Sequence, residues 1–223
     1  MKLQLYKTLV IFMVLSALSG CTSMPHIYSG DAIEGWVIDS KTKEPIEGVV
    51  VVEIWGLEGG FHPDHTANIH IAETITDKKG YYSFSSWGPK LTVQGTMGSF
   101  APRLVFYKFG YEDVRLSNKV GGYPPADYRV SQYNGEKIEF VKFNGSAEEY
   151  NKSLGSIHYL LNIQHTKDNF KCMWVMVPVF TSEMIKLSKY FWERKISNSF
   201  PRLEGIDDCN GRSARVILKD YLK

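Results

Sequence analysis

His62, His65 and His70, with Asp64 between the first two, form the one clustered set of metal-capable side chains in this 223-residue chain. Neutral imidazole suits zinc, copper and nickel. Two histidines on a loop and a third on the following strand could converge on one ion. The His-x2-His-x4-His spacing is not specific on a β scaffold, and no cysteine or glutamate pattern flanks it. A solvated polar loop is the competing reading, and a metal held here would be structural or sensory before it was hydrolytic. The paired carboxylates Glu148-Glu149 and Asp207-Asp208 read as helix-start charge and a solvated turn. No Gly-x-Ser-x-Gly elbow occurs. Gly95-Thr96-Met97-Gly98-Ser99 lacks the Gly-Lys-Ser/Thr end of a phosphate loop. The reading is therefore a non-enzymatic protein that carries no cofactor.

The cysteines carry the clearer chemistry. Lys2 and Lys7 precede an apolar run from Leu9 to Leu18, and Leu18-Ser19-Gly20-Cys21 follows. A basic start, a short apolar stretch and a small-residue site form an export signal. The run is shorter than the roughly 20 residues a membrane-spanning helix needs. With its cysteine directly after Leu-Ser-Gly, the segment resembles the lipobox of bacterial lipoproteins. That resemblance implies cleavage before Cys21 and acylation of its thiol. Two or three acyl chains hold a protein on a membrane stably, where a single chain does not. Thr22, rather than Asp, follows the cysteine, so the resemblance implies the periplasmic face of the outer membrane. Cys172 and Cys209 remain. In an oxidising compartment they can form a disulfide, although two buried free thiols are the alternative.

Composition narrows the partners. Without Lys2 and Lys7 the chain has 24 basic against 24 acidic residues. It lacks the basic excess that nucleic-acid binding calls for. At 43% hydrophobic and 13% aromatic, it can bury a real core.

The elements follow from the periodicity. Residues 1–20 read as the signal and 21–32 as a tether. From Ile33 the pattern is β. Val49–Trp55 is a β-branched run expected to be a buried strand. Ile69–Thr76, Tyr81–Phe84, Arg103–Lys108 and Glu112–Ser117 are further strands, and Ile138–Phe143 alternates like one. Asp39–Pro45 and Asp77–Gly80 carry hairpin-turn residues. Short strands with turns about every ten residues predict an antiparallel sandwich over 33–143. Residues 144–223 then switch to helical spacing. Ser146-Ala147-Glu148-Glu149 is a capping box. Tyr150, Leu154, Ile157 and Leu161 share one face. Phe170, Met173, Val177, Phe180, Met184, Leu187 and Phe191 share another, with Pro178 expected to kink that helix or start a new one. Ser213–Leu222 reads as a short terminal helix. The fold class is α+β, with a helical segment packed on the sandwich.

Several motifs fall in order. They are Gly35-Trp36-Val37-x-Asp39, Thr42, Glu44-Pro45-Ile46, Gly48-Val49, Thr74-x-Thr76-Asp77-x-x-Gly80-Tyr81-Tyr82-x-Phe84 and Phe109-Gly110-Tyr111. Over roughly 33–117 they resemble a carboxypeptidase regulatory-like domain. The resemblance implies a transthyretin-like β-sandwich that acts as an accessory or binding module and not as the peptidase. Most of Trp36, Trp55, Trp87, Trp174 and Trp192 are expected in the core and the sheet–helix seam. Trp87, in Trp87-Gly88-Pro89, is expected to be exposed and to contact a partner. The function read from the sequence is a lipid-anchored envelope protein that binds another envelope protein or supports an assembly. A small-ligand or metal-binding lipoprotein using His62–His70 and a periplasmic immunity-type inhibitor are the alternatives.

Overall fold

The structure is a computed structural model that describes residues 25–58, 67–93, 95–98, 100–119, 129–155, 157, 172–206, 208–209 and 211–222. Its strands are β1 (His26–Gly30), β2 (Ile33–Asp39), β3 (Val50–Glu58), β4 (Ala67–Ile75), β5 (Tyr81–Phe84), β6 (Trp87–Thr92), β7 (Thr96–Met97), β8 (Arg103–Tyr107), β9 (Val114–Ser117) and β10 (Lys137–Phe140). The helices are α1 (Ala147–Ser153), α2 (Met173–Met176), α3 (Pro178–Glu193) and α4 (Ala214–Tyr221), with a 3-10 turn at Leu203–Gly205.

One sheet runs β4-β3-β8-β9, with β7 also on β3; a second runs β10-β2-β5; and β1 pairs with β6 in a two-stranded ribbon. All pairings are antiparallel except β10 on β2. The facing sheets enclose Ile33, Val37, Val49, Val51, Trp55, Tyr82, Leu104, Phe106 and Phe140. This is the α+β sandwich read from the strand pattern.

β3 has no wet face. Side chains alternate across a strand, so Val49 and Val51 enter the inter-sheet core while Val50, Val52 and Ile54 point the other way. There they meet Val177, Phe180, Met184, Leu187 and Phe191 of the α3 segment. Pro178 does not kink a continuous helix. It occupies the first turn of α3, after Val177 leaves helical geometry, where its missing N–H costs nothing. Val177 supplies no side-chain cap. Glu73 of β4 does this from a distance, accepting the N–H groups of Val179 and Phe180 at 2.7 and 2.8 Å. The expected capping box is present on α1, with Ser146 and Glu149 bonding reciprocally. Tyr150 then ties α1 to the sandwich. Its hydroxyl accepts from Gly110 N–H and donates to the Tyr111 carbonyl, and burial pushes it up to about 12.

Two expectations need correction. The Asp39 and Asp77 turns form, each carboxylate accepting two backbone N–H groups, but neither joins two neighbouring strands of one sheet; the Asp39 turn folds back only as far as a single antiparallel bridge of Pro45 to Ile38. Asp39–Pro45 carries the chain from β2 to β3, and Asp77–Gly80 carries it from β4 to β5, so both are corners between sheets. Buried Thr76 joins the corners, its hydroxyl donating to Ile46 O at 2.7 Å and accepting from Val49 N–H at 2.8 Å. Gly80, at φ 70°, packs where a Cβ would strike the Val37 carbonyl. Second, the tether placed at 21–32 contains strand β1, because Tyr28 packs on the core and positions the ribbon. Leu161 and Phe170 of the expected helical faces lie outside the described residues, and of the two readings of Pro178 the new helix start is the one that forms, with α2 before it and α3 after.

Glu73 predicts a pH dependence. Burial raises its pKa above 4.5 despite the two N–H donors. Between the unfolded and folded values the native state then holds more protons, so stability falls as pH rises through that window. Glu73→Gln keeps an acceptor for α3 and removes the titration. Urea unfolding at pH steps across the weakly acidic range should show this slope in the native chain and its loss in the variant. An unchanged slope would assign it to another group.

Candidate functional site

β3 brings one charge into the sandwich. Glu53 is 1% exposed among inward-facing apolar neighbours. A buried carboxylate needs partners, and β4 and Trp55 supply them. His70 Nε2 lies 2.9 Å from Glu53 Oε1, and Trp55 Nε1–H donates to Oε2 at 3.3 Å. Lys90 Nζ of β6 approaches His70 Nδ1 at 3.3 Å and donates to the Ile69 carbonyl. The tautomer that donates from Nε2 and accepts at Nδ1 satisfies both contacts. Trp87 stacks on His70 at 4.9 Å, meets Trp55 edge-on at 5.2 Å, and lies under Lys90. A Cβ at Gly30 would land on the Trp87 and Trp55 rings, so the β1–β6 ribbon closes over the cluster.

This geometry answers the histidine reading in part. Both ring nitrogens of His70 are engaged, and the described residues contain no group of three His, Cys, Asp or Glu placed to hold a metal. His62 and His65 lie outside the described residues, as does Cys21. His70 and Glu73 have a His-x-x-Glu spacing, but three residues along a strand put them on opposite faces. One meets Glu53 and the other caps α3. The cluster orients an imidazole with a carboxylate, yet no described hydroxyl or thiol bonds to it as a nucleophile would.

Trp87 is corrected: it is 9% exposed and belongs to the core. The exposed indole is Trp192, at 61%. It projects from the outer side of α3 into an open groove of about 810 Å³, bounded by Ile185, Lys189, Glu193, Arg202, Leu203 and Glu204. Arg202 lies over the Trp192 ring at 4.3 Å, and Arg194 over Tyr190 at 3.7 Å. The disulfide Cys172–Cys209 forms as expected. With Trp174, Ile185, Ala214 and Leu218 it builds a small core under the groove. It links positions 37 residues apart, a cross-link worth roughly 3–4 kcal/mol by loop entropy. The C-terminal wall of the groove is thus stapled to α2 and, through it, to α3.

Sequence reasoning missed both features. Glu53 had a signal: a lone carboxylate within a run too apolar for a wet face. Trp192 had one too: it follows Phe191 directly and so falls off the Phe180, Met184, Leu187 and Phe191 stripe, with Ser188 and Lys189 on its own side of the helix.

No family model and no curated protein matches the chain. Solved structures align with it only weakly. 3-Chlorocatechol 1,2-dioxygenase from Rhodococcus opacus 1CP aligns at 15% identity and TM-score 0.30, over 51% of this chain and 61% of that one. The dioxygenase domain of a dioxygenase–carbohydrate-binding fusion from Streptomyces sp. SirexAA-E aligns at 16% and 0.28, over 57% and 86%. The shaft pilin SpaA of Lactobacillus rhamnosus GG aligns at 12% and 0.25, over 53% and 52%. At this level none of the three bears on what this chain does.

Removing His70 strands Glu53. His70→Leu should cost roughly 3–5 kcal/mol, whereas the double change Glu53→Gln with His70→Leu should cost less than the single one. Chemical unfolding of both variants checks this. A single variant no less stable than the double would show that the pair carries no buried charge.

Proposed function

We propose that this chain is a lipid-anchored envelope protein whose groove beside α3 docks a protein partner, without catalysis of its own. The observation that carries the reading is Trp192, 61% exposed under the Arg202 guanidinium at the mouth of a groove. Tryptophan and arginine lead the residues that dominate protein interfaces. An exposed indole held by a stacked cation loses little freedom on binding. Lys189 and Arg202 are balanced in the groove by Glu193 and Glu204, so charge does not select the partner; the exposed indole beside Ile185 and Leu203 suits one that presents an apolar side chain.

The anchor rests on the Leu-Ser-Gly-Cys21 motif and places the protein on a bacterial membrane, with the periplasmic face of the outer membrane favoured by Thr22. The carboxypeptidase regulatory-like reading rests on the ordered turn motifs. The two-sheet sandwich is compatible with it at the level of fold class alone. That family assignment favours an accessory module over an enzyme.

A photo-crosslinker at Lys189 in the full chain, in its native membrane, tests docking. One dominant protein adduct is expected. Trp192→Ala should weaken that complex by at least about 2 kcal/mol, or roughly 30-fold in Kd. Labelling of many proteins, unchanged by Trp192→Ala, would remove the groove as a docking site. Cys21→Ser should separately abolish acylation and leave the chain either soluble or unprocessed with its signal still attached; retention of a processed, unacylated chain on the membrane would overturn the anchor.

A further inference from the structure

The β1–β6 ribbon lies outside both sheets and has two unlike faces. Tyr28 and Trp87 turn inward to the sandwich core. Ile27 and Leu91 are directly paired across the ribbon and are 69% and 66% exposed. Large aliphatic side chains opposite one another on a strand pair ordinarily cover something.

The covalent chain says what lies near. Four residues, Thr22 to Pro25, separate Cys21 from His26. Five Cα steps reach at most roughly 18 Å. A domain of about 200 residues has a radius of gyration near 16 Å, and so a diameter well beyond that reach. An acylated Cys21 therefore holds β1 at the lipid surface and leaves the domain no length in which to stand clear. With 24 basic and 24 acidic residues after the signal, net charge does not choose the side that faces the lipid. The apolar pair beside the tether does.

We infer that the outer face of the β1–β6 ribbon, through Ile27 and Leu91, seats against the bilayer that holds the acylated Cys21. The inference rests on the lipid-anchor reading. It gives that anchor an orientation. The ribbon packs on one side of the five-stranded sheet and α3 on the other, so seating the ribbon turns the Trp192 groove away from the lipid.

The test uses the full chain, acylated in a bacterial host and reconstituted in phosphatidylethanolamine–phosphatidylglycerol vesicles. Acylation occupies Cys21 and the disulfide occupies Cys172 and Cys209, so an introduced cysteine is the sole free thiol. Nitroxide labels go on Leu91→Cys and, as an aqueous reference, on Val216→Cys, where the native side chain is 68% exposed on α4. The label at 91 should lose collisions with a water-soluble nickel chelate and gain them with oxygen, while the label at 216 does neither. If both labels behave as aqueous in protein that floats with the vesicles and carries the acyl mass on its N-terminal peptide, the seat is overturned and the anchor stands. If the peptide carries no acyl mass and the protein does not float, anchor and seat fall together.

Discussion

Everything in this molecule follows from β3 having no face left for water. A strand buried on both sides must be apolar at nearly every position, and Val49 to Trp55 meets that demand. It also requires two separate coverings. The small β10-β2-β5 sheet supplies one, and α3 supplies the other. The helices are therefore the third layer of a packed domain, and removing them would expose Val50, Val52 and Ile54 to solvent. Each such side chain gains about 1.5–3 kcal/mol from burial, so the sandwich and the helical segment share their stability.

Two carboxylates sit against this doubly covered sheet and solve their burial differently. Glu73 accepts backbone N–H groups at the start of α3, where the positive end of the helix dipole favours a negative group. The bond orients the helix on the sheet, which Val177 cannot do because it has no capping side chain. Glu53 faces the other way and meets His70 and Trp55. Its cluster fixes the ribbon, because Trp87 and Lys90 of β6 complete the stack on the imidazole. One carboxylate positions the helical layer and the other positions the ribbon near the N-terminal end.

Much of the fold was legible in the sequence, and what escaped has physical reasons. Strand positions followed β-branching and alternation, α1 followed its capping box, and the disulfide followed from two cysteines left in an oxidising compartment. The turns were legible as turns and misread as linking neighbouring strands, since Asp39 and Asp77 bond their own backbone in the same way whether the next strand returns to the same sheet or crosses to the other. Sequence carries turn chemistry locally and strand partnership only globally. The same limit reversed two tryptophans. Trp87 looked exposed because Gly88 and Pro89 follow it, yet Gly30 lacks the Cβ that would have kept its ring out. Trp192 was expected in the core with most of the tryptophans, yet it lies one residue off the Phe180–Phe191 stripe, on the side of α3 that neither the sheet nor α4 covers.

That uncovered strip of α3 is a consequence of packing. A helix laid on a sheet buries one stripe, here Phe180, Met184, Leu187 and Phe191. A second element can cover an adjoining stripe, as α4 does at Ile185. Between these contacts a groove remains wherever the second element diverges. Across that gap Arg202 of the C-terminal segment reaches the Trp192 ring, while the disulfide at Cys209 ties the same segment to the small apolar core around Trp174, Ile185 and Leu218. The indole is thus held on one side by a cation and left open on the other.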